Sequence, residues 1–140
     1  MSVLIEKSSD LDACLEVRFK VFVEEQNVPV GLERDEYDQS AIHLLATDQG
    51  KPVGTARIVL KGDTGKIGRV AVLAEKRGTG LGRELIKACL TELEKLPEVH
   101  VAALGSQTHA LGFYEKLGFV AEGPEFDDAG IPHRMMTRAV

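Results

Sequence analysis

The sequence predicts an α/β protein: a mixed sheet of six or seven strands, an antiparallel meander followed by a parallel pair, with three or four helices. Three observations carry this reading. Three strand-like runs with polar turns between them fill residues 42–73, the pattern of a meander. A strand, turn, helix and strand then follow from Val70 to Leu104, and that order implies a crossover and a parallel pairing. A helical apolar period appears after Leu11 and again after Leu81.

In chain order, Val3-Leu4-Ile5 reads as a short strand. Ser8-Ser9-Asp10 offers helix N-caps, and a helical pattern runs from Leu11 to Glu25. Its inward stripe is Leu11, Cys14, Leu15, Arg18, Phe22, then Glu25 and Gln26. A cation in mid-stripe breaks the apolar pattern. Either Arg18 snorkels at the core edge or pairs with Glu25, or this face floors a polar pocket. Asn27-Val28-Pro29-Val30-Gly31 ends the helix with breakers. Glu33-Arg34-Asp35-Glu36-Tyr37-Asp38 then sets four carboxylates in six residues, read as a solvated loop or as acids beside a pocket that hold a protonated amine.

The meander comprises a strand at Ile42-His43-Leu44-Leu45-Ala46, a turn at Asp48-Gln49-Gly50-Lys51, and a strand from Val53 to Leu60. A second turn, Lys61-Gly62-Asp63-Thr64-Gly65, leads into the strand at 66–73. His43 alternates with apolar neighbours, which suits a hydrogen-bonded structural histidine or a catalytic one. Val70-Ala71-Val72 empties into a turn with glycines at 78, 80 and 82, and a helix starts at Leu81. Apolar residues at 81, 85, 89, 93 and 96 form its stripe, and Pro97 stops it. Val99 to Leu104 is the next strand. Gly105-Ser106-Gln107-Thr108 caps a short helix to Leu117, with Gly118 at its C′ position. Phe119-Val120-Ala121 is a strand, a loop passes through Gly123-Pro124 and Asp127-Asp128-Ala129-Gly130, and a last strand lies near Pro132 to Arg138.

The bulk numbers bound the function. A chain of 140 residues fits one domain, residues 1–140, with a core that needs no staples. A net charge of −5 argues against general nucleic-acid binding and fits a small-molecule partner. Cys14 and Cys89 resemble neither a disulfide framework nor a metal cluster and read as reduced core thiols. The N-terminus shows no basic-then-apolar signal, and no apolar run nears the roughly 20 residues of a membrane span, so the expected location is cytoplasmic.

The glycine turn is the chemical centre. Helix-start N–H groups lack internal partners, the helix dipole adds partial positive charge, and glycine admits a ligand close to the backbone, so this is an anion-binding device. A Walker loop needs Gly-Lys-Ser/Thr at its end, whereas Gly82 is followed by Arg83-Glu84. A dinucleotide loop needs G-x-G-x-x-G near a first strand and a ribose-binding acid; here the spacing is G-x-G-x-G after a meander, and the next strand ends Leu104-Gly105-Ser106.

Arg77-x-x-Gly80-x-Gly82 after a Val-Ala-Val strand resembles the acyl-coenzyme A signature of the GNAT acetyltransferase superfamily. Ala110-Leu-Gly-Phe113-Tyr114-Glu-Lys-Leu-Gly118-Phe119 is similar to its late helix-to-strand segment, with Tyr114 at the position of its usual acid. The segment from Arg18 through Phe22, Glu25 and Gln26 to Pro29, Asp35, and the closing Ala129-Gly130-Ile131-Pro132-His133 resemble the bacterial ElaA-like branch. The resemblance spans nearly the whole chain.

This resemblance implies a fold whose parallel strands splay around the glycine loop, with acetyl-coenzyme A in the gap. The cofactor-binding residues carried over are Val70, Val72, Arg77, Gly78, Thr79, Gly80, Leu81, Gly82, Gln107, Ala110, Phe113 and Tyr114. Backbone N–H groups of 77–82 would hold the pyrophosphate, Val72 the pantetheine arm and thioester carbonyl, and Gln107, Ala110 and Phe113 the far side. It further implies N-acetyl transfer to a primary amine of a small molecule or peptide by direct attack, with the Val72 N–H on the oxyanion and Tyr114 protonating the thiolate. Arg18, Phe22, Glu25, Gln26 and Arg69 are the substrate-binding candidates. Many relatives carry a glutamate on the strand before the loop; this strand begins Gly68-Arg69-Val70, leaving Glu36, Asp35, His43 or solvent for deprotonation. That departure motivates an alternative, a non-catalytic coenzyme A sensor. Homodimers are common in this superfamily and are an expectation here.

Overall fold

The computed structural model describes residues 3–33, 35–128 and 130–140. Arg34 of the acidic run and Ala129 of the closing segment lie outside the described residues. Seven strands form one sheet: β1 (Val3–Lys7), β2 (Ile42–Asp48), β3 (Lys51–Lys61), β4 (Thr64–Val72), β5 (Val101–Gln107), β6 (Val120–Asp128) and β7 (Ile131–Ala139). Their spatial order is β1-β2-β3-β4-β5-β7-β6. Every pairing is antiparallel except β4 with β5.

The turns fall where left-handed residues stand. Gln49 (φ 51°) and Gly50 (φ 82°) join β2 to β3, and two consecutive left-handed residues match the right-handed twist of a hairpin. The helices are α1 (Leu11–Arg18), α2 (Val30–Glu33), α3 (Leu81–Glu94) and α4 (Leu111–Glu115). Asp10 caps α1 by accepting from the Ala13 N–H at 3.1 Å. No described helix is long and apolar enough to cross a membrane.

The core lies on both faces of β3. At Gly54 an added Cβ would stand 3.1 Å from Leu85 Cδ1 and 3.3 Å from Leu81 Cδ2 of α3. The next residue, Thr55, points the other way, toward Cys14 of α1. One helix therefore covers each face. α3 buries Leu81, Leu85, Ile86, Cys89, Leu90 and Leu93, and Cys14 and Cys89 are both free and fully buried.

Four sequence expectations shift. The helix predicted to Glu25 is α-helical only to Arg18 and winds as a π-helix over Phe19–Glu25. That stretch is Phe-Lys-Val-Phe-Val, whose aromatic and β-branched side chains hold an α-helical turn weakly. The breaker segment does turn the chain, with Asn27 at φ 59°, but re-forms a helical turn as α2. The strand expected from Val99 starts at Val101, because Val99 N still bonds Leu96 O in the turn after α3. The loop expected through Gly123-Pro124 belongs instead to β6, whose register against β7 shifts between Glu122 and Phe126.

Candidate active site

The site opens where the two parallel strands part. β4 pairs β5 over Thr64↔Val101, Gly65↔Ala102 and Lys66↔Ala103 only. Beyond that rung β5 stays paired with β7 to Gln107↔His133. β4 stays with β3 but bulges: Gly68 faces Arg57 and Ala71 faces Thr55, so Arg69 and Val70 together oppose Ala56. Arg69 sits there at φ 49°. A bulge bends its strand and adds twist, and this one begins at Arg69, three residues after the last β4–β5 rung at Lys66.

The resulting wedge is a cavity of about 350 Å³. Lys66 to Val70 form one wall, joined by Arg57 and Val59 of β3. Gly105 and Gln107 of β5, Met135 and His133 of β7, and Phe126 and Asp128 of β6 form the other. Phe22, Gln26, Val28 and Glu33 close one side, and Ala110 and Tyr114 another.

At the mouth of the splay lies the glycine loop. Gly78 (φ 78°) and Gly80 (φ 88°) take left-handed conformations, and nothing stands within 4 Å of where a Cβ would be. The requirement for glycine is therefore conformational, and the backbone is open to a ligand. Gly80 occupies the N-cap of α3, and no side chain caps that helix, unlike α1. Its first N–H groups are left for an anion. The loop is held from below: Thr79 Oγ1 donates to Lys76 O at 2.6 Å, and Lys76 Nζ to Asp48 Oδ2 at 2.5 Å. Arg77 Nε donates to Val72 O at 3.1 Å, and its Nη2 pairs with Glu25.

Val72 ends β4 opposite Gly54, with Leu73 N bonded to Val53 O at 3.0 Å. This makes Gly54↔Val72 a non-hydrogen-bonded pair, so the Val72 N–H and C=O both face away from β3, toward the gap. The carbonyl is taken by Arg77, and the N–H has no hydrogen-bond partner among the described residues. Val70, Gln107, Ala110 and Tyr114 line the cavity, and the loop residues Arg77 to Gly82 follow β4 outside that lining. Phe113 is exposed and lies beside the loop, its Cζ 4.0 Å from the Cβ position of Gly82.

Tyr114 is packed edge-on against Phe113 (centroids 5.0 Å) and Phe119 (6.2 Å). Burial, with the nearby Cys89, pushes its phenol above the ordinary tyrosine value, so it remains a proton donor at neutral pH.

The acidic run is not a solvated loop. Arg18 has no exposed surface. Its Nε donates to Glu33 Oε1 at 2.5 Å, its Nη1 to Asp38 Oδ1 at 2.7 Å, and its Nη2 to Glu33 O at 3.0 Å. Arg57 Nη1 donates to Asp35 Oδ1 at 2.6 Å and Asp38 Oδ1 at 3.0 Å. Arg69 Nε donates to Glu33 O at 3.0 Å, and its Nη2 to Asp35 Oδ2 at 3.3 Å. Three guanidiniums thus meet three carboxylates. Burial alone would raise the Asp38 carboxyl, but hydrogen bonds from Arg18 and the Asp35 N–H hold it well below the usual carboxylate range. Asp35 is lowered likewise, Arg57 outweighing its partial burial.

Phe22, Gln26 and Arg69 of the substrate candidates line the cavity. Arg18 does not; with no exposed surface and its guanidinium held by Glu33 and Asp38 it stands behind the wall, and Glu25 is not its partner. Glu25 instead joins Arg77 at the loop. None of the three candidate bases lines the cavity; Asp35 is held by Arg57 and Arg69. Glu36 is exposed on the short helical turn Glu36–Gln39. His43 is buried, donating Nε2–H to Asp38 O at 2.9 Å, the geometry of the structural reading. Sequence reasoning passed over Arg57, Lys66 and Asp128. The signal for Arg57 was a cation inside the apolar run Val53 to Leu60; for the other two there was none.

The profile for an acetyltransferase (GNAT) domain matches residues 9–140. YjcF of Bacillus subtilis (strain 168), named as an uncharacterized N-acetyltransferase, is 39% identical over 141 residues, covering 98% of this chain and 98% of YjcF. Protein ElaA of Escherichia coli (strain K12) is 35% identical over 137 residues, 94% of this chain and 89% of ElaA. The crystal structure of Escherichia coli ElaA superposes with a TM-score of 0.87 over 98% of this chain and 99% of that one. An acyl-CoA N-acyltransferase from Pseudomonas aeruginosa gives a TM-score of 0.86 at 32% identity, over 99% of each chain. With the profile spanning most of its length and these relatives covering nearly all of it, this chain belongs to the acetyltransferase (GNAT) family, in its ElaA-like branch.

Proposed function

We propose that the protein transfers an acetyl group from acetyl-coenzyme A to a primary amine of a small molecule or peptide by direct attack. The observation that carries this reading is the parting of β4 from β5 after Lys66↔Ala103, beside a helix start that no side chain caps. The residues present fit the co-substrate: an open glycine backbone for the pyrophosphate, and a Val72 N–H turned into the gap for the thioester end. Family membership supplies acyl transfer as the class of chemistry.

In this reading the backbone of Gly78 to Gly82 takes the pyrophosphate, with Arg77 adding positive charge while its fork steadies Val72. Gln107, Ala110 and Phe113 flank the pantetheine arm. The Val72 N–H donates to the oxyanion as it develops, where a fixed donor is worth most. Tyr114 gives its proton to the departing thiolate. Phe22, Gln26 and Arg69 bound the space left for the amine.

A screen of amines, aminosugars, polyamines and peptides, read by release of the coenzyme A thiol, tests this. Acetylation of at least one amine is expected. Tight coenzyme A binding with no transfer to any would mark a sensor instead.

A further inference from the structure

On the acetyl-transfer reading above, a proton must leave the acceptor's ammonium before its nitrogen can attack. The carboxylates of the acidic run are poor candidates for taking it. Glu33 and Asp38 are sealed against Arg18, and Asp35 is fixed by Arg57 and Arg69. His43 is turned inward.

We propose that His133 is the general base, accepting the ammonium proton on Nε2. His133 is on β7, between two strands, facing Gln107 of β5 on one side and Phe126 of β6 on the other. Its ring tilts over Phe126 with centroids 5.8 Å apart at 31°. Its Nδ1 lies 2.7 Å from Ile131 O. A carbonyl can only accept, so Nδ1 carries a hydrogen and Nε2 is the nitrogen that gains or loses a proton. Among the described residues Nε2 has no hydrogen-bond partner.

Three features aim it into the site. His133 shares one face of β7 with Ile131 and Met135, and all three line the cavity. Across on β5 stands Gly105, where an added Cβ would come 3.5 Å from Phe126 Cζ and 4.0 Å from His133 Cδ2. The ring edge that carries Nε2 is thus packed over bare backbone at the splay. Tyr114, the proposed acid, lines the same cavity. Base and acid come from different elements lining that cavity, β7 and α4.

The step balances. Nε2 takes one proton from R–NH3+, and the freed lone pair forms the C–N bond at the thioester carbonyl. The C–S bond breaks, and the thiolate takes the Tyr114 hydroxyl proton. The second amine proton passes to the Tyr114 oxygen, and His133 releases its proton to solvent. The charged or titratable groups sharing the cavity with His133 are Asp128 from β6, Tyr114 from α4, Glu33 from α2, Arg57 from β3, and Lys66 and Arg69 from β4. β5 offers Gln107, which is uncharged.

Steady-state kinetics of wild type, His133→Gln and His133→Ala, with acetyl-coenzyme A and the amine that the wild type acetylates fastest, test this between about pH 6 and 9. kcat/KM is expected to fall roughly 100-fold near neutrality in both variants, as for loss of a general base. The deficit should shrink toward high pH, where the amine arrives already neutral, and added imidazole should restore part of the activity of His133→Ala. Acetyl-coenzyme A affinity should stay within about twofold, since uniform binding is untouched. A deficit under about threefold at every pH, or one that is constant with pH and deaf to imidazole, overturns the assignment of the base. No transfer by the wild type would overturn the transfer reading as well, so the two failures are distinct.

Discussion

Arg18 and Asp38 join two segments twenty residues apart, Nη1 to Oδ1 at 2.7 Å, with Arg18 wholly out of solvent. Asp38 also accepts from Arg57, so one carboxylate bridges two guanidiniums. Removing it leaves Arg18 with Glu33 and Arg57 with Asp35, one carboxylate each. Asp38→Asn is expected to cost about 1.5–3 kcal/mol, the range for weakening buried hydrogen bonds to charged groups. Urea unfolding at pH 7 measures it.

The same cluster sets the response to acid. Asp38 and Asp35 are held below their unfolded values. The stability they contribute is complete above the unfolded carboxylate range of roughly pH 4 and is lost as pH falls through their folded values. The urea midpoint should therefore hold steady from about pH 7 to 5 and fall below about pH 4. In Asp38→Asn the fall should be shallower. A midpoint that drops as steeply in the variant would remove Asp38 from the explanation.

Gly65 on β4 lets α3 settle on the sheet. A Cβ there would stand 2.3 Å from Leu93 Cδ2 and 3.2 Å from its Cγ, so Leu93, fully buried, must move bodily. Gly65→Ala is expected to destabilise by about 1–3 kcal/mol through overpacking. Thermal unfolding of the single variant checks it, and Gly65→Ala with Leu93→Val should recover part of the loss.

Much of this fold could be read from residue order, and the reasons are local. Gly50 (φ 82°) and Gly118 (φ 91°) announce their turns through a conformation that few other residues adopt. The stripe from Leu81 is amphipathic enough to declare α3. What local pattern does not carry is pairing between distant segments. Nothing near Glu33 or Asp38 in sequence says that a cation fifteen or twenty residues earlier will bury with them. Likewise Arg69 meets Asp35 from the bulge of β4, and Arg57 meets it from β3. The glycine loop was readable as an anion site because its chemistry is in its own backbone. The opposite wall was not, since Asp128, His133 and Gly105 come together only through the order β5-β7-β6.

Gly80 holds φ 88° at the start of α3. Gly80→Ala should strain the backbone by about 1–2 kcal/mol and disturb the N–H groups proposed to hold pyrophosphate. Calorimetric titration with coenzyme A should show affinity reduced by about tenfold, the worth of one such misplaced contact. Gly82, helical and with its nearest atoms 4.0 Å from a Cβ, is the control expected to fold normally as alanine.

Tyr114→Phe keeps the packing against Phe119 and removes only the hydroxyl. Its kcat should fall about 100-fold, with coenzyme A affinity unchanged, if the phenol is the proton donor. Equal losses in both quantities would mean that Tyr114 positions the pantetheine arm rather than protonating the thiolate.

The most direct measurement is a mass-balanced acetyl-transfer assay with the purified protein: free coenzyme A thiol and N-acetylated amine quantified together across the amine panel. One thiol released for each new acetamide, saturating in acetyl-coenzyme A, is the result expected of the β4–β5 wedge as a transfer site. Acetyl-coenzyme A bound and returned intact with every amine would contradict it.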